Sequence, residues 1–332
     1  MSAIHNATLK EIGQALFNAK SVILFPHENP DGDSIGSCVA LCSALRKQGV
    51  ECWTLVEEKI PDQIAFIDEG SDDGSEKCCT SDPDCIAEPE ICAYIDCYGE
   101  SRIPGREETF RRGQKHFCID HHITDSCGED MYYIDPDESS TTLIIYKLLK
   151  ASGVEIDRRM ANSIYTGLCT DTGNFQYTNT TQEAHRIATE LFALGVDHDD
   201  IMVRLNQSVD PRQTMLESAA MANMEFICNG KVAMACVSRK LVDECGALME
   251  HADHLINLLR DMKGVEIAIV FKEKAPEITK ASFRSKTYAD VSAVAAQFGG
   301  GGHERASGCT IFEDMETAKA QVVEAVKGAV RQ

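Results

Sequence analysis

The sequence has no apolar run approaching the length a membrane span requires, and its N-terminus lacks the pattern of a secretory signal. A soluble, cytoplasmic protein is the expectation. Positive charge is also scarce, with 32 Lys+Arg against 53 Asp+Glu and a formal net charge of −21. Such a surface repels phosphate backbones at long range, which disfavours a broad binder of long DNA or RNA. A short phosphorylated ligand held in a locally positive or metal-filled cleft remains compatible. Paired Cys-x-x-Cys ligands are missing as well, although the chain has 15 cysteines. Without such pairs a thiolate zinc site has no framework. An odd, scattered set in a long chain reads as reduced thiols packed as small hydrophobes. Cys78, Cys79 and Cys85 fall in an acidic, turn-rich stretch and read as part of an exposed insertion. The acidic run 67–76 reads as a solvated loop.

What is present is enough apolar residue, 43%, for real cores, over 332 residues, which suits two domains. Strand-like runs at Ser21–Phe25, Cys52–Val56, Ile91–Asp96 and His116–Asp120 alternate with helical patterns after Ser34 and over Thr141–Lys150, Arg158–Leu168 and Gln182–Leu194. This alternation predicts an α/β fold, with a mainly parallel sheet carrying helices on both faces. The stretch 196–222 has no strand signal and a break at Asp210-Pro211, and reads as a partly helical linker. Strand and helix patterns restart at Lys231 and continue to the end, implying a smaller C-terminal α/β domain. The expected division is 1–195, 196–222 and 223–332, with a cleft between the two domains.

Chemistry-bearing residues gather at the ends of these elements. Strand Ser21–Phe25 runs into His27, Asp31 and Asp33. Another strand ends at Asp96, a third at Asp120-His121-His122, and Asp171 follows the helix from Arg158. In an open parallel sheet, ligands bind beyond the carboxyl ends of the strands, so these residues can share one site. Any one Asp alone reads as a cap or turn residue, and Asp33 or Ser34 could cap the next helix. Four correlated placements argue otherwise. Carboxylates with imidazoles and no thiolate suit Mn²⁺ or Mg²⁺, and so many ligands suit a pair of ions about 3.5–4 Å apart clamping a phosphoryl group. The run Gly299–Gly302 would let backbone N–H groups approach a phosphate, and Arg284 could grip one bidentately. His251 and His254 read as a solvated helix start, and Met221, Met224 and Met234 as core fillers.

His27-x-x-x-Asp31-x-Asp33, Asp96, Asp120-His121-His122 and Asp171 resemble the four motifs of the DHH phosphoesterase superfamily. The segment Gly299–Gly308, with His303 after the glycines, resembles the glycine-rich motif of the DHH-associated C-terminal domain, DHHA1. Phe283-Arg284-Ser285 resembles that domain's substrate-contacting pair. The resemblance spans essentially the whole chain, and its size fits the NrnA-type group of oligoribonucleases and 3′-phosphoadenosine-5′-phosphate (PAP) phosphatases. It implies that His27, Asp31 and Asp96 hold one Mn²⁺, and that Asp33, Asp96, His121 and Asp171 hold the other, with Mg²⁺ or Co²⁺ as substitutes. It implies that His122 serves the phosphate as a hydrogen-bond or proton donor, with Asp120 orienting the histidines. Arg102, Arg284, Ser285, Gly300, Gly301, Gly302 and His303 would contact substrate.

The expected substrates are short oligoribonucleotides or nucleotide bisphosphates, with no long nucleic acid and no membrane; a homodimer is compatible. A phosphodiesterase for linear or cyclic dinucleotides is the nearest alternative. A catalytically silent nucleotide-binding regulator would show a broken metal set, and this set is complete. Pyrophosphatases of the superfamily lack the Gly-Gly-Gly-His motif.

Overall fold

The computed structural model describes residues 3–57, 60–69 and 76–331, apart from the side chain of His303. Most of the acidic run 67–76 therefore lies outside the described residues. Contacts divide the chain into two compact units, Met1–Ser208 and Val209–Gln332. No helix among the described residues is long and apolar enough to cross a membrane.

The first unit contains β1 (Ile4–His5), α1 (Leu9–Asn18), β2 (Ser21–Phe25), α2 (Gly32–Lys47), β3 (Glu51–Leu55), β4 (Cys79–Thr80), β5 (Ile91–Ile95), α3 (Glu107–Arg111), β6 (Lys115–Asp120), β7 (Met131–Ile134), α4 (Thr141–Ala151), α5 (Arg158–Asp171), α6 (Gln182–Ala193) and α7 (His198–Asn206). Its seven-stranded sheet has the order β1-β7-β6-β5-β2-β3-β4. Only β1 runs antiparallel; the other pairings are parallel. Strands β2 and β5 are buried at every position. That explains why they read as continuous apolar runs rather than alternating ones: a central parallel strand is covered on both faces.

The two faces are covered unequally. Val22, Leu24, Ala93, Ile95, Phe117 and Ile119 pack into a large core with α1, α2, α4, α5 and α6. The opposite residues, Ile23, Phe25, Tyr94 and Cys118, cluster with Ile103 and Phe110, so among the described residues the helical cover of this face is the short α3 and a turn of 3-10 helix.

The second unit contains α8 (Pro211–Ala222), β8 (Glu225–Ile227), β9 (Val232–Val237), α9 (Arg239–Glu244), α10 (Leu255–Arg260), β10 (Ile267–Ala275), β11 (Ile278–Ser285), α11 (Val291–Ala296), β12 (Gly301–His303), β13 (Ala306–Ile311) and α12 (Met315–Val326). Its sheet has the order β12-β13-β11-β10-β9-β8, with only β9 and β10 parallel. Helices α11 and α12 pack on one face, and α8, α9 and α10 on the other.

Several sequence expectations need adjustment. The stretch 196–222 is two helices: α7 lies in the first unit, while Leu216 and Ala220 of α8 pack into the core of the second. Cys78 is not in an exposed insertion. It is fully buried against Ser43, and its N–H, with that of Cys79, donates to the Asp68 carboxylate at 2.6 and 3.0 Å. Met234 is buried in the core shared with α11 and α12, whereas Met221 and Met224 pack, partly buried, against the core on the opposite face of that sheet. His254 contacts the buried Glu217 at 3.4 Å rather than only water.

Candidate metal centre

The strand order creates the site. The chain leaves β2 toward β3 on one side, while β5 lies on the other, so the crevice between the ends of β2 and β5 is a topological switch point. His27 follows β2, Asp96 follows β5, and Asp120-His121-His122 closes the neighbouring β6. Asp96 has φ +63°, a left-handed conformation that Asp tolerates better than most residues. The turn is held by its N–H donating to the Ile119 carbonyl at 2.9 Å.

Two helices bring the remaining carboxylates. Asp31, not Asp33 or Ser34, is the N-cap of α2, and its Oδ1 accepts from the N–H groups of Asp33 and Ser34, both at 3.0 Å. Asp33 is thereby left free to point elsewhere. Helix α5 continues beyond Leu168, so Asp171 is its last residue rather than part of a following loop. Close approach of α2 and α5 depends on glycine. A Cβ on Gly36 would lie 2.5 Å from the Ser163 carbonyl, and one on Gly167 would lie 3.0 Å from Asp33 Cα. The sequence pattern showed neither contact.

The ligand-capable atoms gather in three groups, each within 4.8 Å: His27–Asp31–Asp96, Asp33–His121–Asp171, and Asp96–His121–His122, which shares Asp96 with the first and His121 with the second. Asp96 belongs to the first and reaches the second. Its Oδ2 is 3.5 Å from His27 Nε2, and its Oδ1 is 3.7 Å from His121 Nε2. His121 Nε2 is also 3.6 Å from Asp171 Oδ2 and 3.9 Å from Asp33 Oδ2. All six residues expected as ligands are thus brought together. His122 is oriented differently. Its Nδ1 lies 2.8 Å from Asp120 Oδ1, which also accepts the backbone N–H of His121 at 2.7 Å and of His122 at 3.1 Å.

The electrostatics fit a cation-binding site. Asp33 and Asp96 are each only 1% exposed. Burial, then repulsion from Asp33 and Asp31, pushes the Asp96 carboxyl well up. Burial likewise raises Asp33, and burial with Asp33 nearby raises Asp171 to about 7. Burial alone would lower His121, but Asp171, Asp33, Asp96 and Asp120 together hold it up at about 9. At Asp120 burial acts upward and is outweighed by the hydrogen bond and charge of His122, so its pKa is lowered. Carboxylates crowded away from water need a positive partner. An oxygen and imidazole donor set, without thiolate, suits a hard or borderline divalent ion.

Three residues of this site escaped the sequence reading. Thr141 and Thr142, at the start of α4, donate their N–H groups to Asp33 Oδ2 and Oδ1 at 2.7 and 2.9 Å, and the Thr141 hydroxyl donates to Asp96 Oδ1 at 2.8 Å. The Asn179 amide donates to the Asp171 carbonyl at 3.0 Å and approaches its Oδ2 at 3.4 Å. Ser140, the N-cap of α4, signals a helix start but not what lies opposite it.

Of the expected substrate residues, Arg102 has an exposed side chain in a 3-10 turn; its carbonyl accepts the Glu28 N–H at 2.7 Å, tying that turn to the His27 loop. Arg284 and Ser285 end β11, where Ser285 is buried and donates to the Glu304 carbonyl at 3.2 Å. The glycine run is not a free loop. Gly301, Gly302 and His303 form the edge strand β12, paired with β13. Gly300 packs so tightly that a Cβ would meet the Gly308 carbonyl at 2.2 Å. The side chain of His303 lies outside the described part of the structure.

Comparison with known proteins agrees with both units. Residues 21–168 match the DHH family N-terminal domain, and residues 229–332 match the DHHA1 domain. The chain is 31% identical over 310 residues to the bifunctional oligoribonuclease and PAP phosphatase NrnA of Thermus thermophilus, covering 92% of this chain and 89% of that protein. It is 25% identical to the Bacillus subtilis protein of the same name, over 88% of this chain and 90% of that one. Among solved structures, an exopolyphosphatase-related protein from Bacteroides fragilis superposes with a TM-score of 0.90 at 24% identity, covering 98% of this chain and 97% of that one.

Proposed function

This chain belongs to the DHH phosphoesterase family, with a DHHA1 domain as its second unit, and on that premise we propose that it is a two-metal hydrolase of short oligoribonucleotides that also dephosphorylates PAP. The observation that carries this reading is the pair of ligand groups joined through Asp96. His27, Asp31 and Asp96 would hold one Mn²⁺, and Asp33, His121, Asp171 and the other oxygen of Asp96 the second. When bound, such ions neutralise phosphoryl oxygens and lower the pKa of water toward neutrality. Asp120 accepts from His122 Nδ1, which directs the imidazole's Nε2 away from the carboxylate. A proton on that Nε2 can pass to the departing ester oxygen as charge develops on it. His122 is half-buried, with 35% of its side chain exposed, so a phosphate can reach it. Because Nδ1 is engaged by Asp120, we assign His122 to the substrate and not to a metal.

The substrate assignment rests on the relatives that combine the same two domains, oligoribonuclease and PAP phosphatase by name. Arg102, Arg284, Ser285, the glycine run Gly300–Gly302 and His303 are proposed to bind the nucleotide. The acidic composition favours a small substrate captured by a few local contacts over a long polymer.

Product analysis tests this. The metal-stripped protein, reloaded with Mn²⁺, is offered a dinucleotide, a pentanucleotide, PAP and a cyclic dinucleotide. Mononucleotides from the first two and AMP from PAP are expected. Cleavage confined to the cyclic dinucleotide would replace this reading with the alternative, and no metal-stimulated cleavage of any of them would end it.

A further inference from the structure

We propose that Thr141 is a positioning residue for the metal centre: its hydroxyl locks the rotation of Asp96 so that each ligand group receives one carboxylate oxygen. This rests on the metal reading above and extends it to a residue outside the ligand set.

Thr141 is fully buried at the start of α4 and touches both buried carboxylates. Its N–H donates to Asp33 Oδ2 at 2.7 Å, and its hydroxyl donates to Asp96 Oδ1 at 2.8 Å. Asp33 is held at both ends, because Thr142 N–H takes Oδ1 at 2.9 Å. Asp96 is not. The imidazoles of His27, His121 and His122 lie 3.5 to 3.7 Å from it, beyond hydrogen-bond length, and the nearby carboxylates of Asp33 and Asp31 repel it. Two of those imidazoles are assigned as ligands themselves.

Rotation of the Asp96 carboxylate about its last side-chain bond is intrinsically soft. Turning it would withdraw Oδ2 from His27 and Oδ1 from His121 together. The Thr141 hydroxyl opposes that rotation. Because the same residue holds Asp33 through its backbone, the spacing of one carboxylate from the other is set by one rigid helix start. Partners that orient metal ligands in this way typically contribute 10–100-fold to metal affinity.

The test is Thr141→Val, which keeps the branched shape and the N–H to Asp33 and removes only the hydroxyl. Mn²⁺ binding to the metal-stripped full chain is followed through the electron paramagnetic resonance signal of free Mn²⁺, without substrate. The dissociation constant should rise about tenfold or more in Thr141→Val and stay within about twofold of wild type in Thr141→Ser, which retains the donor. Wild-type affinity in Thr141→Val overturns the proposal. So does an equal loss in Thr141→Ser, which would point to packing of the methyl group. Should Thr141→Val fail to fold, Thr141→Ala, which also lacks the donor, is expected to show the same loss, and wild-type affinity there refutes it. A wild-type protein that leaves Mn²⁺ free would instead refute the metal reading.

Discussion

Replacing Asp96 by Asn should make the metal-free protein no less stable while abolishing its stabilisation by Mn²⁺. Asn fits the same space and tolerates the left-handed backbone at φ +63°, so the turn after β5 survives. The charge of Asp96 is a burden to the metal-free fold, since burial and the neighbouring Asp33 and Asp31 push its carboxyl well up. Each pKa unit of such a rise disfavours the charged form by about 1.4 kcal/mol. Asp33 Oδ2 and Asp96 Oδ1 lie 3.9 and 3.7 Å from the same His121 Nε2, and at an effective dielectric constant of about 20 two like charges within about 8 Å repel by about 2 kcal/mol or more, partly offset by the His121 imidazolium. Removing the charge is therefore worth about 1–2 kcal/mol at neutral pH, or a few degrees in Tm for a unit of this size. Mn²⁺ acts in the opposite direction. At 100 times its Kd, one bound ion stabilises the native state by about 2.7 kcal/mol, roughly 5–11 °C. Wild type should show that rise, and Asp96→Asn, lacking the carboxylate that joins the two groups, less than about a third of it. Calorimetry of the full chain in chelator and in Mn²⁺ reads both effects, and hydrolysis should be lost in parallel. A variant with the full Mn²⁺ shift, or one that melts several degrees below wild type in chelator, would refute the reasoning.

Two further outcomes concern the same centre and the second unit. Metal-free stability should fall as pH rises from about 5 to 9. Asp171, raised to about 7 in the fold, destabilises progressively above its ordinary value, and His121, raised to about 9, contributes stability present below 6.5 that is lost as pH rises through 9. With saturating Mn²⁺ the slope between pH 5 and 7 should reverse, because ligands must lose protons to bind; identical slopes in chelator and in Mn²⁺ would contradict this. Arg284→Ala should raise KM for a dinucleotide about tenfold while barely changing that for a simple aryl phosphodiester, as expected for loss of a charge-assisted contact remote from the scissile bond. Equal effects on the two substrates would remove Arg284 from nucleotide binding.

The legibility of this site follows from where its ligands lie along the chain. His27, Asp96 and the Asp120-His121-His122 triplet sit where strands end, and a buried parallel strand is among the plainest patterns a sequence carries. Asp33 was harder, because an Asp beside a helix start has an ordinary explanation as a cap. The structure gives that task to Asp31 and turns Asp33 inward to the start of α4. Strands β1 and β7 went unread because β1 is two residues long and β7 is half-buried, without the continuous apolar run of its neighbours. The glycine run reads as a loop because glycine tells of backbone freedom, whereas at Gly300 the close approach of Gly308 and Cys309 is what requires it.

The amino-acid sequence alone determined the α/β class, the succession of strands ending in Asp and His, and the oxygen and nitrogen character of the ligand set, since these depend on residue type and short-range period. Only the tertiary structure decided which ligand meets which. Strand order makes the end of β2 adjacent to that of β5, and Gly36 and Gly167 let α2 and α5 close on each other. Thr141 then ties Asp33 to Asp96 across intervals of 108 and 45 residues. No local pattern encodes a contact between segments so far apart, because such contacts are set by which faces must be buried together.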